Sequence, residues 1–269
     1  MATIGAPTTA AASGQAEGRA GVPAIRATGI VKYFGHLQAL RGASIDLFPG
    51  EVVALVGDNG AGKSTFTKVI CGALMADDGQ LEFWGEPTRV QSIHHAHALG
   101  VHTVYQDLAL APHLSVSDNL FLGREEIRPG WRRFLGEVDR RHMVDETRQA
   151  MGRLGITLRD YNVPVGNLSG GQRQALAVAR AITWATTAVL MDEPTAALGP
   201  KQSAIVYETV AAAADRGLAV LVISHDIPRM LEFAHRIAVM RHGAVVAVRD
   251  ARSLRLSEVI GLMLGEVVA

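Results

Sequence analysis

The 269-residue sequence lacks several features that point to particular protein classes. Its single cysteine, Cys71, excludes an internal disulfide framework and is typical of a reducing compartment. Lysine and arginine total 26 and balance 26 aspartate and glutamate residues, so the basic excess of a nucleic-acid-binding domain is absent. No stretch approaches the roughly 18 unbroken apolar residues of a membrane span, and no apolar signal-peptide core occurs near the start. We therefore expect a chain that does not cross a membrane and has no nucleic acid partner.

Apolar residues are abundant, at 48% of the sequence, and the length suits one large α/β domain or two small ones. Residues 1–23 are rich in Ala, Gly, Thr and Pro and predict a disordered tail, with one ordered domain at 24–265. Short apolar runs such as AVLMD and LAVLVI alternate with helix-length segments, which favours a parallel sheet with helices on both faces. The predicted helices cover Lys63–Leu74, most of Ser115–Leu154 around a Pro129-Gly130 break, Ser169–Ala185, Gln202–Arg216 and Leu254–Leu264.

The stretch GDNGAGKST contains the complete pattern G-x-x-x-x-G-K-[ST], with a predicted strand before it and a predicted helix after it. That context identifies a phosphate loop, whose glycines let successive backbone N–H groups point at a nucleotide's phosphates. Lys63 is expected to pair with the β- and γ-phosphates, and Ser64 to offer its hydroxyl to Mg²⁺. The expected nucleotide-binding residues here are Gly57, Asp58, Asn59, Gly60, Ala61, Gly62, Lys63, Ser64 and Thr65.

Two further motifs, AVLMDEP and NLSGGQRQ, contain polar residues in a recognisable pattern. In AVLMDEP an apolar strand ends in two adjacent carboxylates, at the edge of the sheet where ligands bind in open α/β folds. We expect Asp192 to hold Mg²⁺ and Glu193 to polarise an attacking water, whereas the alternative is a solvated strand end. In NLSGGQRQ, Ser169 and Gln172 form an S-x-x-Q box that predicts a helix start. Taken alone, that box indicates nothing more.

Together, the phosphate loop, the DE strand and LSGGQ resemble the ATP-binding subunit of an ABC transporter, over residues 24–265. The resemblance implies an α/β P-loop NTPase core with a parallel sheet, an N-terminal antiparallel β subdomain and an inserted α-helical subdomain at about 107–180. It also implies a head-to-tail dimer with a second copy of the chain. In that dimer, the ATP held by one copy is contacted by four residues of the other, namely Ser169, Gly170, Gly171 and Gln172.

The resemblance assigns three more residues. Gln106 matches the glutamine that contacts Mg²⁺ or water and faces the membrane partner, and His225 matches the histidine that senses the γ-phosphate. Phe34 matches the aromatic that stacks on adenine, with Tyr33 as the alternative. The implied catalytic set is then Glu193, His225, Gln106 and Lys63, and the implied metal set is Ser64, Gln106 and Asp192. Gly199 departs from the pattern, since many relatives carry an aspartate there that couples the two nucleotide sites.

Longer stretches resemble importers of monosaccharides, in particular VYQDLALAPHLSVSDNLFLGRE, VGNLSGGQRQALAVARA and DEPTAALGP. RPGWRRFLGEVDRRHM resembles the single-domain, fructose-type subunits of that group. The resemblance implies hydrolysis of MgATP to power import through a separate permease, at the cytoplasmic face of the membrane, with a solute-binding protein as an indirect partner. A non-sugar solute, export, or a soluble ABC ATPase without a transport role remain as alternatives.

Four histidines, His94, His95, His97 and His102, lie in HHAHALGVH. A metal site is one interpretation. No cysteine or carboxylate joins them within this stretch, so we expect a helix surface and no metal.

Overall fold

The computed structural model describes residues 21–128 and 136–266. Most of the predicted tail and the predicted Pro129-Gly130 break lie outside these ranges. The strands are β1 (Ile25–Phe34), β2 (Leu37–Leu47), β3 (Val52–Val56), β4 (Asp78–Phe83), β5 (Glu86–Pro87), β6 (Val101–Val104), β7 (Ala188–Asp192), β8 (Ala219–Ile223), β9 (Arg236–Arg241) and β10 (Ala244–Asp250). The α-helices are α1 (Lys63–Ile70), α2 (Ile93–Ala98), α3 (Val116–Leu120), α4 (Arg140–Arg153), α5 (Gly170–Trp184), α6 (Pro200–Asp215), α7 (Ile227–Phe233) and α8 (Leu256–Leu264).

The N-terminal part forms an antiparallel sheet in the order β2-β1-β4-β5. Its strands bury one face, as an alternating pattern requires. In β2, for example, Ala43, Ile45 and Leu47 are buried and the residues between them are not. This arrangement confirms the antiparallel β sheet that the family resemblance implied.

The central sheet has the order β10-β9-β3-β8-β7-β6. The five strands from β9 to β6 run parallel, and β10 is antiparallel to β9. Every residue of β3, β7 and β8 is buried, which explains their continuous apolar sequences. The carboxyl ends of these three parallel strands meet at one edge of the sheet, and this is the edge that carries the phosphate loop.

Two hydrophobic cores lie on opposite faces of the central sheet, and successive side chains of β3 point alternately into one core and the other. Val52, Ala54 and Val56 pack into the core shared with helices such as α5 and α6. Val53 and Leu55 pack into the core shared with α1 and the antiparallel sheet. The sheet is therefore covered on both faces, as a P-loop α/β fold requires.

Several predicted helix limits were wrong. The helix predicted over Lys63–Leu74 ends at Ile70, because Gly72 has φ 71° and lies where a Cβ would be 2.6 Å from the Ser92 carbonyl oxygen. The helix predicted from Gln202 begins at Pro200, since proline suits the first helical turn.

The segment predicted to be mostly helical from Ser115 to Leu154 contains two separate helices, α3 and α4. Between them, Ile127 and Val138 form an isolated antiparallel bridge. The Arg128 N–H donates to the Glu137 carbonyl at 2.8 Å, a pairing between residues nine apart that differs from the four-residue spacing of helical hydrogen bonds. α4 then begins where the Asp139 carboxylate accepts a hydrogen bond from the His142 N–H. The limits of a separate helical subdomain at about 107–180 stay a prediction.

Candidate nucleotide-binding and hydrolytic site

A cleft of about 710 Å³ opens at the carboxyl edge of the central sheet. It brings together predicted residues from segments far apart in the sequence. From the sequence-based candidates, its lining includes Phe34, Asn59, Gly60, Gly62, Lys63, Ser64, Thr65, Gln106, Asp192, Glu193 and His225. Most of the predicted catalytic and nucleotide-binding residues thus share one open site.

The phosphate loop connects β3 to α1 in a conformation that requires glycine at two points. Gly57 has φ 151°, and a Cβ there would lie 2.1 Å from the Met240 carbonyl oxygen. Gly62 has φ 104° and caps α1 without a side chain, and a Cβ there would lie 2.9 Å from the Ala39 carbonyl oxygen. The loop is therefore pressed against β2 and β9. Only glycine allows this close packing, and a glycine-rich loop of this kind, set between a strand and a helix, fits a phosphate chain.

Lys63, the first residue of α1, folds its side chain back over the loop. Its ammonium donates to the carbonyl oxygens of Gly57 at 2.7 Å and Asp58 at 2.9 Å. Burial lowers the pKa of Lys63, an effect opposed by the negative charges of Glu193, Asp192 and Asp58. Because its hydrogen-bond acceptors are neutral carbonyls, the Lys63 ammonium can bind an anion in the cleft without breaking an ion pair.

The two adjacent acids differ in their surroundings. Asp192 ends β7 and is buried, whereas Glu193 follows with φ 53°, in the left-handed region that non-glycine residues rarely adopt. The Oε1 atom of Glu193 lies 2.9 Å from Nδ1 of His225, which follows the neighbouring strand β8. The His225 side chain is largely exposed, at 83%, while that of Glu193 is 20% exposed. A shielded carboxylate that is oriented by this direct contact with the imidazole can accept a hydrogen bond from a water in the cleft.

The oxygen donors in the cleft fit Mg²⁺ in partnership with a nucleotide. In the described part of the chain, no group of three or more His, Cys, Asp or Glu side chains could hold a metal alone. A site built from one carboxylate, Asp192, with Ser64 and Gln106 is nevertheless the kind that Mg²⁺ uses when phosphates and waters complete its shell.

LSGGQ lies apart from this cleft. The Ser169 hydroxyl accepts from the Gln172 N–H at 3.3 Å, and the Gln172 side chain accepts from the Ser169 N–H at 2.9 Å. This reciprocal capping box starts α5 and confirms the predicted helix start. Gly170 and Gly171 pack close to Ala197 and Leu198. None of the four residues from Ser169 to Gln172 is among the described residues lining the cleft.

Of the two candidate adenine contacts, Phe34 lines the cleft and Tyr33 does not. Neighbouring residues of a strand point to opposite faces, which separates the two rings. The Tyr33 N–H donates to the Asp77 carboxylate at 2.6 Å, which fixes this end of β1. Phe34 is 46% exposed and lines the cleft, with the Lys32 ammonium 6.0 Å from the centroid of its ring.

The cleft also contains residues that the sequence interpretation missed. His242, with φ 48°, and Gly243 form the turn between β9 and β10 and line the cleft together with Arg41 of β2. The Gly243 N–H donates to the Ala61 carbonyl at 2.9 Å, and the Arg41 N–H donates to the Gly243 carbonyl at 2.8 Å. In the sequence, RHGA indicates only a short turn at His242-Gly243 and gives no information that this turn contacts the phosphate loop.

Of the four histidines expected on a helix surface, His94, His95 and His97 lie in α2, whereas His102 lies in β6 and is buried, so the expectation was wrong for His102. His97 and His102 stack with ring centroids 4.3 Å apart, and Nη2 of Arg124 lies 3.3 Å from Nε2 of His102. Burial lowers the pKa of His102 to about 3, and the positive charges of His97, Arg124 and Arg180 add to this effect. A neutral imidazole that accepts from a guanidinium explains this cluster.

Comparison with known proteins decides the family. Residues 40–196 match the family described as ABC transporter. The chain belongs to the ABC transporter family. The resemblance noted from the motifs is therefore confirmed, and so is the α/β fold. In the described ranges, no helix is both long and apolar enough to cross a membrane.

Curated relatives are import ATP-binding proteins. The chain is 43% identical to the fructose import ATP-binding protein FrcA of Rhizobium meliloti over 245 residues, covering 90% of this chain and 94% of FrcA. It is 42% identical to the xylose/arabinose import ATP-binding protein XylG of Sulfolobus acidocaldarius, covering 86% and 90% of the two chains. It is 40% identical to the ribose import ATP-binding protein RbsA 2 of Rubrobacter xylanophilus, covering 94% of this chain and 48% of RbsA 2. The chain thus spans about half the length of this ribose relative.

Solved structures share the fold. A nucleotide-free ATP-binding cassette from an ABC transporter superposes with a TM-score of 0.73 at 28% identity, covering 91% of this chain and 96% of the cassette. The ADP conformation of the cassette MJ1267 superposes with a TM-score of 0.72 at 26% identity, covering 90% and 95%. The fold of this ABC protein is therefore that of an ATP-binding cassette.

Proposed function

We propose that this ABC protein is the ATP-binding and ATP-hydrolysing subunit that powers import of a monosaccharide through a separate permease. One observation carries the hydrolytic part: a single cleft gathers Lys63, Asp192, Glu193 and His225 at the edge of the central sheet. The solute class comes from the relatives, whose names specify fructose, xylose or arabinose, and ribose.

The chemistry follows from the positions of these side chains. The glycine-rich loop and Lys63 bind the β- and γ-phosphates of ATP, and Phe34 stacks on its adenine. Ser64, Gln106 and Asp192 would hold Mg²⁺, and the ion would supply positive charge to the phosphate oxygens. The Glu193 carboxylate polarises the attacking water, and its hydrogen bond to His225 fixes the direction in which it points.

The proposed unit is a head-to-tail dimer of two chains. Ser169, Gly170, Gly171 and Gln172 lie outside their own chain's cleft, so a second copy supplies them to complete the site. Contacts of ATP with both copies exist only in the closed form, and ATP binding therefore shifts the equilibrium towards closure. Hydrolysis removes the γ-phosphate contacts and the dimer opens. Gly199 stands where many relatives carry the aspartate that couples the two sites, and it supplies no carboxylate for that contact.

The dimer works at the cytoplasmic face of the membrane as a peripheral subunit. Its partners are the transmembrane permease, which it contacts near Gln106, and, through the permease, a solute-binding protein. The balanced charge of the chain gives no basis for a nucleic acid partner.

Reconstitution tests the proposal. The chain is purified with the membrane subunit that accompanies it, placed in proteoliposomes, and supplied with MgATP and radiolabelled fructose, ribose or xylose. We expect ATP-dependent movement of at least one monosaccharide, abolished by Lys63→Ala and retained by Lys68→Ala, which alters an exposed lysine of the same helix. Uptake confined to a non-sugar solute, or ATP hydrolysis with no membrane subunit associated, would overturn the import assignment.

A further inference from the structure

The backbone of Glu193 is held in an unfavourable conformation by three hydrogen bonds. Its φ of 53° places a non-glycine residue in the left-handed region, which costs free energy unless neighbours stabilise it. The Glu193 N–H donates to the Ile223 carbonyl at 3.0 Å, and the Glu193 carbonyl accepts from the Ala196 N–H at 3.3 Å. The third bond comes from a side chain, because Nε2 of Gln174 donates to the Glu193 carbonyl at 3.2 Å.

Gln174 lies in the first half of α5, five positions after the cap residue Ser169, and is 4% exposed. A carbonyl oxygen only accepts hydrogen bonds, so the amide nitrogen and not the amide oxygen must face Glu193. A buried polar side chain of this kind is costly unless its hydrogen bonds are made, which favours one fixed orientation. α5 is thereby joined through this amide to the strand end that carries the two carboxylates.

We infer that Gln174 is a positioning residue for ATP hydrolysis. Its amide holds the Glu193 peptide in the left-handed conformation, and that conformation directs the Glu193 carboxylate to Nδ1 of His225 at 2.9 Å. The inference rests on the proposed role of Glu193 in polarising water. Since α5 begins with the residues proposed to contact ATP on the second copy, Gln174 also ties that contact to the hydrolytic carboxylate of its own chain.

Three variants test this role. Gln174→Leu keeps the size and burial of the side chain but removes the donor. Gln174→Glu replaces the donor by a carboxylate that repels the carbonyl, although its protonated form can donate again. Thr147→Val is the matched control, because the fully buried Thr147 hydroxyl donates at 2.6 Å to the Met143 carbonyl in α4, away from the cleft. The control removes a buried side-chain to backbone hydrogen bond without touching Glu193.

Steady-state ATP hydrolysis separates positioning from folding. We expect Gln174→Leu to lower kcat about 10- to 100-fold while KM for ATP changes little, since misplacing one catalytic group affects the chemical step. Thr147→Val should keep the wild-type kcat. The rate of Gln174→Glu, divided by that of the wild type at each pH, should rise as the pH falls from 8 to 6. A wild-type kcat in Gln174→Leu, or an equal loss in Thr147→Val, would overturn the inference.

The same substitution made in the Glu193→Gln protein distinguishes a failure of the Gln174 role from a failure of the proposed function. In Glu193→Gln protein, adding Gln174→Leu should slow hydrolysis no further, because the group that Gln174 positions is already lost. An additional tenfold loss would show that Gln174 acts elsewhere and would refute the inference alone. Wild-type turnover in Glu193→Gln itself would instead refute the proposed function.

Hydrogen exchange followed by mass spectrometry gives a readout that does not depend on turnover. The peptide covering residues 193–198 contains the Ala196 amide, which donates to the Glu193 carbonyl. In Gln174→Leu we expect this peptide to exchange at least several-fold faster, with wild-type exchange in Thr147→Val. Unchanged exchange of the peptide in Gln174→Leu would contradict the inference.

Discussion

Lys63→Ala removes the one lysine that lines the proposed nucleotide cleft among the described residues. In the structure its ammonium is bound only to neutral acceptors, the carbonyls of Gly57 at 2.7 Å and Asp58 at 2.9 Å. Burial partly desolvates this ammonium and lowers the pKa of Lys63. A phosphate that takes over this ammonium therefore gains a charge-assisted hydrogen bond at a small further desolvation cost.

The size of the effect follows from these contacts. A hydrogen bond to a charged group contributes roughly 2–3 kcal/mol in a partly buried site, so the mutant should bind ATP about 30- to 150-fold more weakly. Isothermal titration calorimetry with MgATP measures this directly. Lys68→Ala is the control, because Lys68 is exposed on the same helix and outside the cleft, and it should bind like the wild type.

The outcome that refutes this reasoning is equal affinity of wild type and Lys63→Ala. That result would mean that the loop does not bind phosphates through its lysine, and the assignment of the phosphate loop would fall. Weakened binding in Lys68→Ala as well would instead indicate a general effect of charge, which higher salt should remove.

Three further results are expected. Phe34→Ala should weaken ATP binding by about 1–3 kcal/mol, the value of a base stacked on an aromatic ring, and Tyr33→Ala should not; calorimetry showing the reverse would shift the adenine contact by one residue. Because the pKa of His102 is lowered to about 3, His102 becomes protonated at a higher pH in the unfolded chain than in the folded one. The free energy of unfolding should therefore fall as the pH drops below about 6.5, by at most about 1.4 kcal/mol per pH unit. In urea unfolding, His102→Gln should show a weaker dependence on pH, and an equal dependence would contradict this prediction. Gly57→Ala should lower the free energy of unfolding by about 3 kcal/mol because its Cβ would lie 2.1 Å from a backbone oxygen, whereas Gly60→Ala, with open space around it, should cost less in the same assay.

The features that could be predicted from the sequence are those that depend on residues close together in the chain. The phosphate loop, the DE strand and the LSGGQ helix start are each contiguous, and each has a physical signature in turn glycines, apolar runs or caps. The continuous apolar sequences of β7 and β8 also predicted buried parallel strands correctly, since both are fully buried. The roles of Gln106 and Phe34 came from family resemblance, and the structure places both in the cleft.

The parts that the sequence did not predict depend on contacts between distant segments. The turn at His242-Gly243 reaches the phosphate loop through a hydrogen bond to the Ala61 carbonyl, and neither segment signals the other. Gln174 looked like one more polar residue in a helix start, although its amide reaches Glu193. The expectation of a mostly helical segment from Ser115 to Leu154 was wrong at Ile127 and Val138, which pair with each other in an antiparallel bridge, a contact that helical periodicity cannot reveal.

In the proposed dimer, two copies of this chain form an ATP site that opens only after hydrolysis. The mass of Glu193→Gln by size-exclusion chromatography with light scattering tests it most directly. The amide preserves the shape of the carboxylate but cannot polarise water, a change worth about 10²- to 10⁴-fold in rate, so bound ATP should persist and trap the closed form. We predict a dimer with MgATP and a monomer with ADP. A monomer at saturating ATP, with hydrolysis slowed as expected, would contradict the two-chain site.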